Sequence, residues 1–144
     1  MEKLEDRLFL TASPFIGGDL VVYRVGDGSI ALTNGGNPIF MDEYSPTGQL
    51  VQSIEMPFSS NPNDVEGGVH SPTANPNPIV NAGSASPSGD LQLSVDGKSL
   101  SFAGYDVSMP SGLNSTNLKS RTDIARDAGL VDINGNVDTS TAPP

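Results

Sequence analysis

The run PIFMDEYSPTGQLVQSIEMP, residues 38 to 57, sets two adjacent carboxylates, Asp42 and Glu43, and a tyrosine, Tyr44, directly before a turn. Paired carboxylates can serve as general acid and base, provided both reach one substrate atom. On a β-strand they do not, because successive side chains point to opposite faces. Asp42 and Tyr44 share a face with Phe40, whereas Ile39, Met41 and Glu43 share the other. After the turn, Leu50, Gln52, Ile54 and Met56 alternate against Val51, Ser53 and Glu55. The stretch reads as a two-sided hairpin with a charged tip, and Asp42 and Tyr44 stay candidates to line a groove or channel.

Other constellations fit chemistry less well. The sole histidine, His70, sits in a low-complexity loop, so a multi-histidine zinc site is excluded and no G-x-S-x-G elbow accompanies it. The glycines of VGDGS, residues 25 to 29, are not followed by the lysine of a phosphate loop and read as a turn. Asp132, Asn134, Asn136 and Asp138 alternate around Gly135 and form the one pattern that leaves calcium open as a ligand. An EF-hand loop needs glycine sixth and a bidentate acid twelfth; here glycine is fourth and the twelfth residue is Pro143, so a hairpin with acidic shoulders is favoured. Asn114-Ser115-Thr116 fits the glycosylation triplet.

The elements that must position these residues are short. Extended runs fall at 20 to 25, 38 to 44, 49 to 56, 78 to 85, 90 to 95, 99 to 107 and, less regularly, 129 to 140, most of them bounded by Gly, Pro, Asn or Asp. The 16 glycines and 12 prolines are 28 of 144 residues, which leaves little room for long helices. The pattern is all-β, built from antiparallel hairpins. Asp96-Gly97 and Asn134-Gly135 predict two-residue type I′ turns, and Ser45-Pro46-Thr47-Gly48 a longer one. The turn glycines 48, 97 and 135 recur at a spacing close to that of β-propeller blades, although a β-sandwich also places hairpins in series. Residues 59 to 88 contain three Asn-Pro steps and predict a long surface loop around one strand. Between Leu113 and Gly129 a helix, with Thr122 as N-cap before DIARDAG, stands against irregular chain.

Composition narrows the partners. With 7 Lys+Arg against 17 Asp+Glu the formal charge is −10, which repels a phosphate backbone, so nucleic acid is excluded as a partner. No apolar run reaches the length of a membrane span, the start MEKLEDRLFLTASPF lacks the form of an intact signal peptide, and the absence of cysteine rules out disulfides and thiolate metal sites.

The strings GGDLVVYRVGDGSIALTNGGNPIFMDEYSPTGQLVQSIEMP, SPSGDLQLSVDGKSLSFAGYD and VDINGNVDTST, taken in order, resemble a family of secreted bacterial β-propeller-like repeat proteins of mostly unknown function. EKLEDRLFLTA is similar to the LEDR-type motif near the N-termini of planctomycete surface and exported proteins. The resemblance implies an extracellular or cell-surface location and carries no catalytic residue. It divides the chain into an N-terminal extension, 1 to 16, and a β-repeat module, 17 to 144, with the loop 59 to 78 as an elaboration. Strands for one to two blades cannot close a propeller, so the expectation is a fragment of a longer protein or a unit completed by other copies through open β edges. The expected function is structural, self-assembling or binding and non-catalytic. The alternatives are a glycan- or calcium-binding propeller fragment, with Asp42, Tyr44, Tyr105 and Asp106 as ligands, or part of a secreted hydrolase whose site lies elsewhere.

Overall fold

The computed structural model describes residues 12–59, 69–70, 77–84, 90–109, 118–120 and 122–141. The LEDR-type motif, the glycosylation triplet and most of the Asn/Pro-rich loop lie outside the described residues. The described chain is all-β. Its strands are β1 Leu20–Val25, β2 Gly36–Asn37, β3 Ile39–Tyr44, β4 Leu50–Glu55, β5 Val69–His70, β6 Ile79–Ala82, β7 Gln92–Leu93, β8 Ser99–Asp106, β9 Arg126–Asp132 and β10 Val137–Thr141. The described helical content is one 3-10 turn, Leu118–Ser120. No helix among the described residues is long and apolar enough to cross a membrane.

The strands form two sheets. One runs β1-β3-β4-β5; the other runs β10-β9-β8-β6-β2, with β7 on the flank of β8. All neighbours pair antiparallel except β4 and β5, which run parallel through Ile54↔Val69 and Glu55↔His70. A common core joins the sheets: Ile39, Met41, Ile54 and Met56 from the first meet Ile79, Phe102, Val131 and Val137 from the second. Each such side chain removed from water contributes about 1.5–3 kcal/mol, so this interface is the main cohesive element. The chain passes from the second sheet into the first at Pro38, between β2 and β3. Asn37 locks that crossing: its amide donates to the carbonyls of Thr33, Gly35 and Asn81 at 3.0, 3.1 and 3.0 Å, and its Oδ1 accepts the Thr33 N–H at 3.0 Å.

A second, smaller core lies on the far side of β6 and β8. Val80, Ala82 and Tyr105 are covered there by Phe58 and Leu118.

The three hairpin tips share a common element: at Asp96-Gly97 and Asn134-Gly135 it replaces the expected two-residue type I′ turn, and at Ser45-Pro46-Thr47-Gly48 it is the longer turn expected there. In each, the glycine N–H returns to the carbonyl three residues earlier: Gly48 to Ser45 at 2.8 Å, Gly97 to Ser94 at 2.9 Å and Gly135 to Asp132 at 2.9 Å. The side chain of that first residue then accepts the N–H of the fifth: Ser45 from Gln49 at 3.2 Å, Ser94 from Lys98 at 3.1 Å and Asp132 from Asn136 at 2.9 Å. Only the glycines have positive φ, at 82°, 69° and 80°, so Asp96 and Asn134 occupy ordinary turn positions. Each is a turn closed by a left-handed glycine: the Ser45 and Asp132 N–H groups return to the carbonyls of Gln49 and Asn136 and close three-residue loops, whereas the Ser94 N–H returns to Ser99 and closes a four-residue loop.

The helix considered before Gly129 does not form where it is described. Arg126–Asp132 is strand β9, with Asp127, Gly129 and Val131 buried and Arg126, Ala128 and Leu130 exposed. Strict alternation outweighs the capping signal at Thr122, and tertiary packing fixes it: a Cβ on Gly129 would fall on the Phe102 ring. Upstream of Thr122, residues 113–117 lie outside the described residues.

Candidate functional site

The registers Val22↔Asp42↔Ser53 and Arg24↔Phe40↔Glu55 carry Arg24, Phe40, Asp42 and Ser53 to the outer face of the first sheet. Asp42 is buried and fully engaged there. Arg24 Nε donates to its Oδ2 at 2.5 Å, Arg24 Nη2 to its Oδ1 at 3.1 Å, and the Ser53 hydroxyl to Oδ1 at 2.5 Å. The guanidinium also donates to the Gly26 carbonyl at 2.6 Å and lies 4.1 Å above the Phe40 ring. The hydrogen bonds that Arg24 donates to Asp42 raise its pKa above the ordinary value, against an opposing effect of burial. A carboxylate held by a fork-shaped cation and a hydroxyl is a structural anchor.

An open groove of about 490 Å³ runs beside this anchor, between the strand face and the loop 26 to 32. Asp42 and Tyr44 both line it, with Arg24, Asp27, Ile30, Leu32 and Leu50. Alternation alone puts Leu50 with Gln52 on the core face, but a register shift between Glu43 and Tyr44 sets Leu50 opposite Tyr44 and turns it into the groove. Asp27 closes its own turn, accepting the Ser29 N–H at 2.9 Å and the Ser29 hydroxyl at 2.6 Å; the hydroxyl, then the N–H, hold its pKa below the ordinary value.

Glu43 points the other way, into the interior. It is 0% exposed, and its oxygens accept the Ile16 N–H at 2.6 Å and the Gln52 amide at 2.7 Å. Gln52 in turn exchanges two hydrogen bonds with the Ser13 backbone, at 2.9 and 3.0 Å. Residues 12–16 are thereby strapped across the first sheet. The Phe15 N–H also reaches the Ile133 carbonyl at 2.9 Å, and Gly135 presses so closely on Ala12 and Ser13 that a Cβ there would meet both at 2.9 Å. The arm spans both sheets at their turn end.

The two other proposed ligands lie elsewhere. Tyr105 is fully buried in the smaller core, under the Arg126 guanidinium at 3.9 Å from its ring, so it cannot contact a ligand from solvent. Asp106, half-buried at the end of β8, lies near Asp127 rather than near Asp42. The Asp132, Asn134, Asn136 and Asp138 pattern serves the β9–β10 turn. Asp132 accepts the N–H groups of Asn134 and Asn136 at 2.8 and 2.9 Å and the Asn136 amide at 2.8 Å; burial raises its pKa, but these bonds together outweigh that and lower it. Asp138 accepts the Ser140 N–H at 2.9 Å. Among the described residues no group of three or more His, Asp or Glu side chains is placed to hold a metal ion.

Two buried groups were not singled out by the sequence. Tyr23 faces the interior, accepts a 2.8 Å hydrogen bond from the Asn81 amide, and has its pKa pushed up to about 12 by burial, against the lowering effect of that bond. Asp127 is 2% exposed; one oxygen accepts the Ala128 N–H at 2.7 Å, and Oδ2 has no partner among the described residues. Burial first, then the charges of Asp106 and Asp138, push its pKa up to about 6. The alternation of RDAGLVD is the signal that could have placed Asp127 inward. Comparison with protein-family models, with curated proteins and with solved structures finds no match to this chain.

Proposed function

We propose that this chain is a non-catalytic β-repeat module of the cell exterior, serving structure, self-assembly or binding. The observation that carries the reading is the fate of the acidic pair at the first hairpin: Asp42 is held by Arg24 and Ser53, and Glu43 by Ile16 and Gln52, on opposite faces. The residues best suited by type to acid–base work are committed to holding the fold. The thrice-repeated hairpin tip supports a repeat architecture, and face-to-face sheets with short connections suit neighbouring propeller blades as well as a sandwich. The extracellular placement rests on the resemblance of YRVGDG, DEYSPTG and GYD to the secreted repeat family.

The groove beside Asp42 and Tyr44 favours a second reading, a binding fragment for a glycan. It joins apolar walls from Ile30, Leu32 and Leu50 to the polar groups of Arg24, Asp27 and Tyr44. Light scattering with negative-stain imaging separates the two. Rings, filaments or discrete oligomers are expected of the assembling module, and a monomer at every concentration overturns self-assembly. Binding on a glycan array that is lost in Tyr44→Ala moves the conclusion to the second reading. A melting temperature unchanged by calcium is expected from the engagement of Asp132 in its own turn.

A further inference from the structure

The second sheet ends on β10, five residues long, and the first begins with β1, six residues long. Exposed strand edges invite pairing, and proteins blunt them with bulges, charges or very short strands. β10 is blunted twice, by a register shift between Asp138 and Thr141 and by the exposed carboxylate of Asp138. β2 and β5, at the remaining ends, have two residues each. β1 is neither short nor bulged, its pairing with β3 being unbroken from Leu20↔Tyr44 to Val25↔Ile39, and its one charge, Arg24, is paired with Asp42 on the sheet face.

The ladder shows which backbone groups it offers. The Gly26 N–H donates to the Pro38 carbonyl at 2.8 Å, so the hydrogen-bonded pairs with β3 are the even residues of β1. The N–H and carbonyl groups of Val21 and Tyr23 therefore point away from β3, toward an edge on which no strand among the described residues pairs. Beside that edge Leu20 is 64% and Val22 38% exposed.

We infer that β1 pairs antiparallel with β1 of a second copy of this chain, about a twofold axis at Val22. This rests on the self-assembling reading and names its surface. The Val21 N–H of one copy meets the Tyr23 carbonyl of the other, and the reverse; Val22 faces Val22, and Leu20 faces Arg24. Electrostatics favour this surface in a chain of formal charge −10, because Arg24 is the only charged residue in β1 and is already neutralised by Asp42. No like charges then face each other across the axis, whereas pairing through β10 would bring Asp138 into the contact.

Sedimentation velocity on the full chain tests this. The native chain is expected to dimerise with concentration, and Val22→Lys and Val22→Glu alone to weaken dimerisation roughly tenfold or more, since like charges then face across a close pair. Mixing the two variants restores the dimer. Amide exchange by NMR gives a second readout that needs no variant: Val21 and Tyr23 are protected only at high concentration, Val22 and Arg24 at all concentrations. If Val22→Lys dimerises as tightly as the native chain, or if Val21 and Tyr23 exchange equally fast in monomer and dimer, the β1 edge is overturned and self-assembly must use another surface. A native chain monomeric at every concentration overturns both.

Discussion

Glu43 and Asp127 are both buried carboxylates on inward positions of central strands, one in each sheet, and they are treated in opposite ways. Glu43 receives a donor on each oxygen, one from the arm and one from Gln52. Asp127 receives one N–H, keeps an oxygen without a partner among the described residues, and shares its neighbourhood with Asp106 and Asp138. Burial is equally deep, so the difference lies in the donors supplied. A satisfied buried acid fastens elements together; an unsatisfied one is a standing strain that protonation relieves.

Four substitutions break or sharpen this contrast. Glu43→Ala has the largest expected effect, a loss of about 3 kcal/mol, because it orphans the Ile16 N–H and the Gln52 amide in a buried place. Urea unfolding measures the loss, and faster amide exchange at Ile16 shows that the arm has come free. Arg24→Ala strips the cation from Asp42, a third buried acid with good partners; since the guanidinium is partly exposed, a loss of about 1–2 kcal/mol is expected, and Ser53 keeps part of the bonding.

Asp127→Asn should act in the opposite direction. The folded-state pKa of Asp127, about 6, lies above its ordinary value of 3.8, so the folded chain binds the extra proton between these limits. Its cost is absent below the lower limit, grows as pH rises through the window and is complete above the upper one. The variant should therefore melt higher than the native chain at pH 8, by roughly a few degrees, and at the same temperature at pH 3. A lower melting temperature at pH 8 would show that Asp127 is well partnered. The smallest effect belongs to Asp138→Asn, which removes a neighbouring charge and should lower the Asp127 titration midpoint by roughly a few tenths of a pH unit, read by carboxyl carbon NMR.

Local features of this fold were legible in the sequence, and cross-chain ones were not. Alternation assigned Asp42 and Glu43 to opposite faces, and the glycines marked all three tips. The turn type at Asp96-Gly97 and Asn134-Gly135 departs from the dipeptide rule because that rule looks only at the two central residues, whereas the deciding contact is Ser94 or Asp132 accepting from the fifth residue. Leu50 changed faces through a bulge, which depends on the partner strand. Tyr105, a candidate ligand by residue type, is buried by Phe58 and Leu118, which are remote from it in sequence. Arg24 went unnoticed because its value lies wholly in the register that sets it beside Asp42.

The arm at 12–16 bears on the order of events during folding. Ile16 must find Glu43, Ser13 must find Gln52, and Phe15 must find Ile133 near the other end of the described chain. Each of these docking surfaces exists only once a hairpin has formed, β3 with β4 or β9 with β10. Contacts that close the longest loops last contribute little to the transition state, so weakening them chiefly hastens unfolding. The arm acts as a late clasp: its hold sets how long the folded molecule survives more than how quickly it appears.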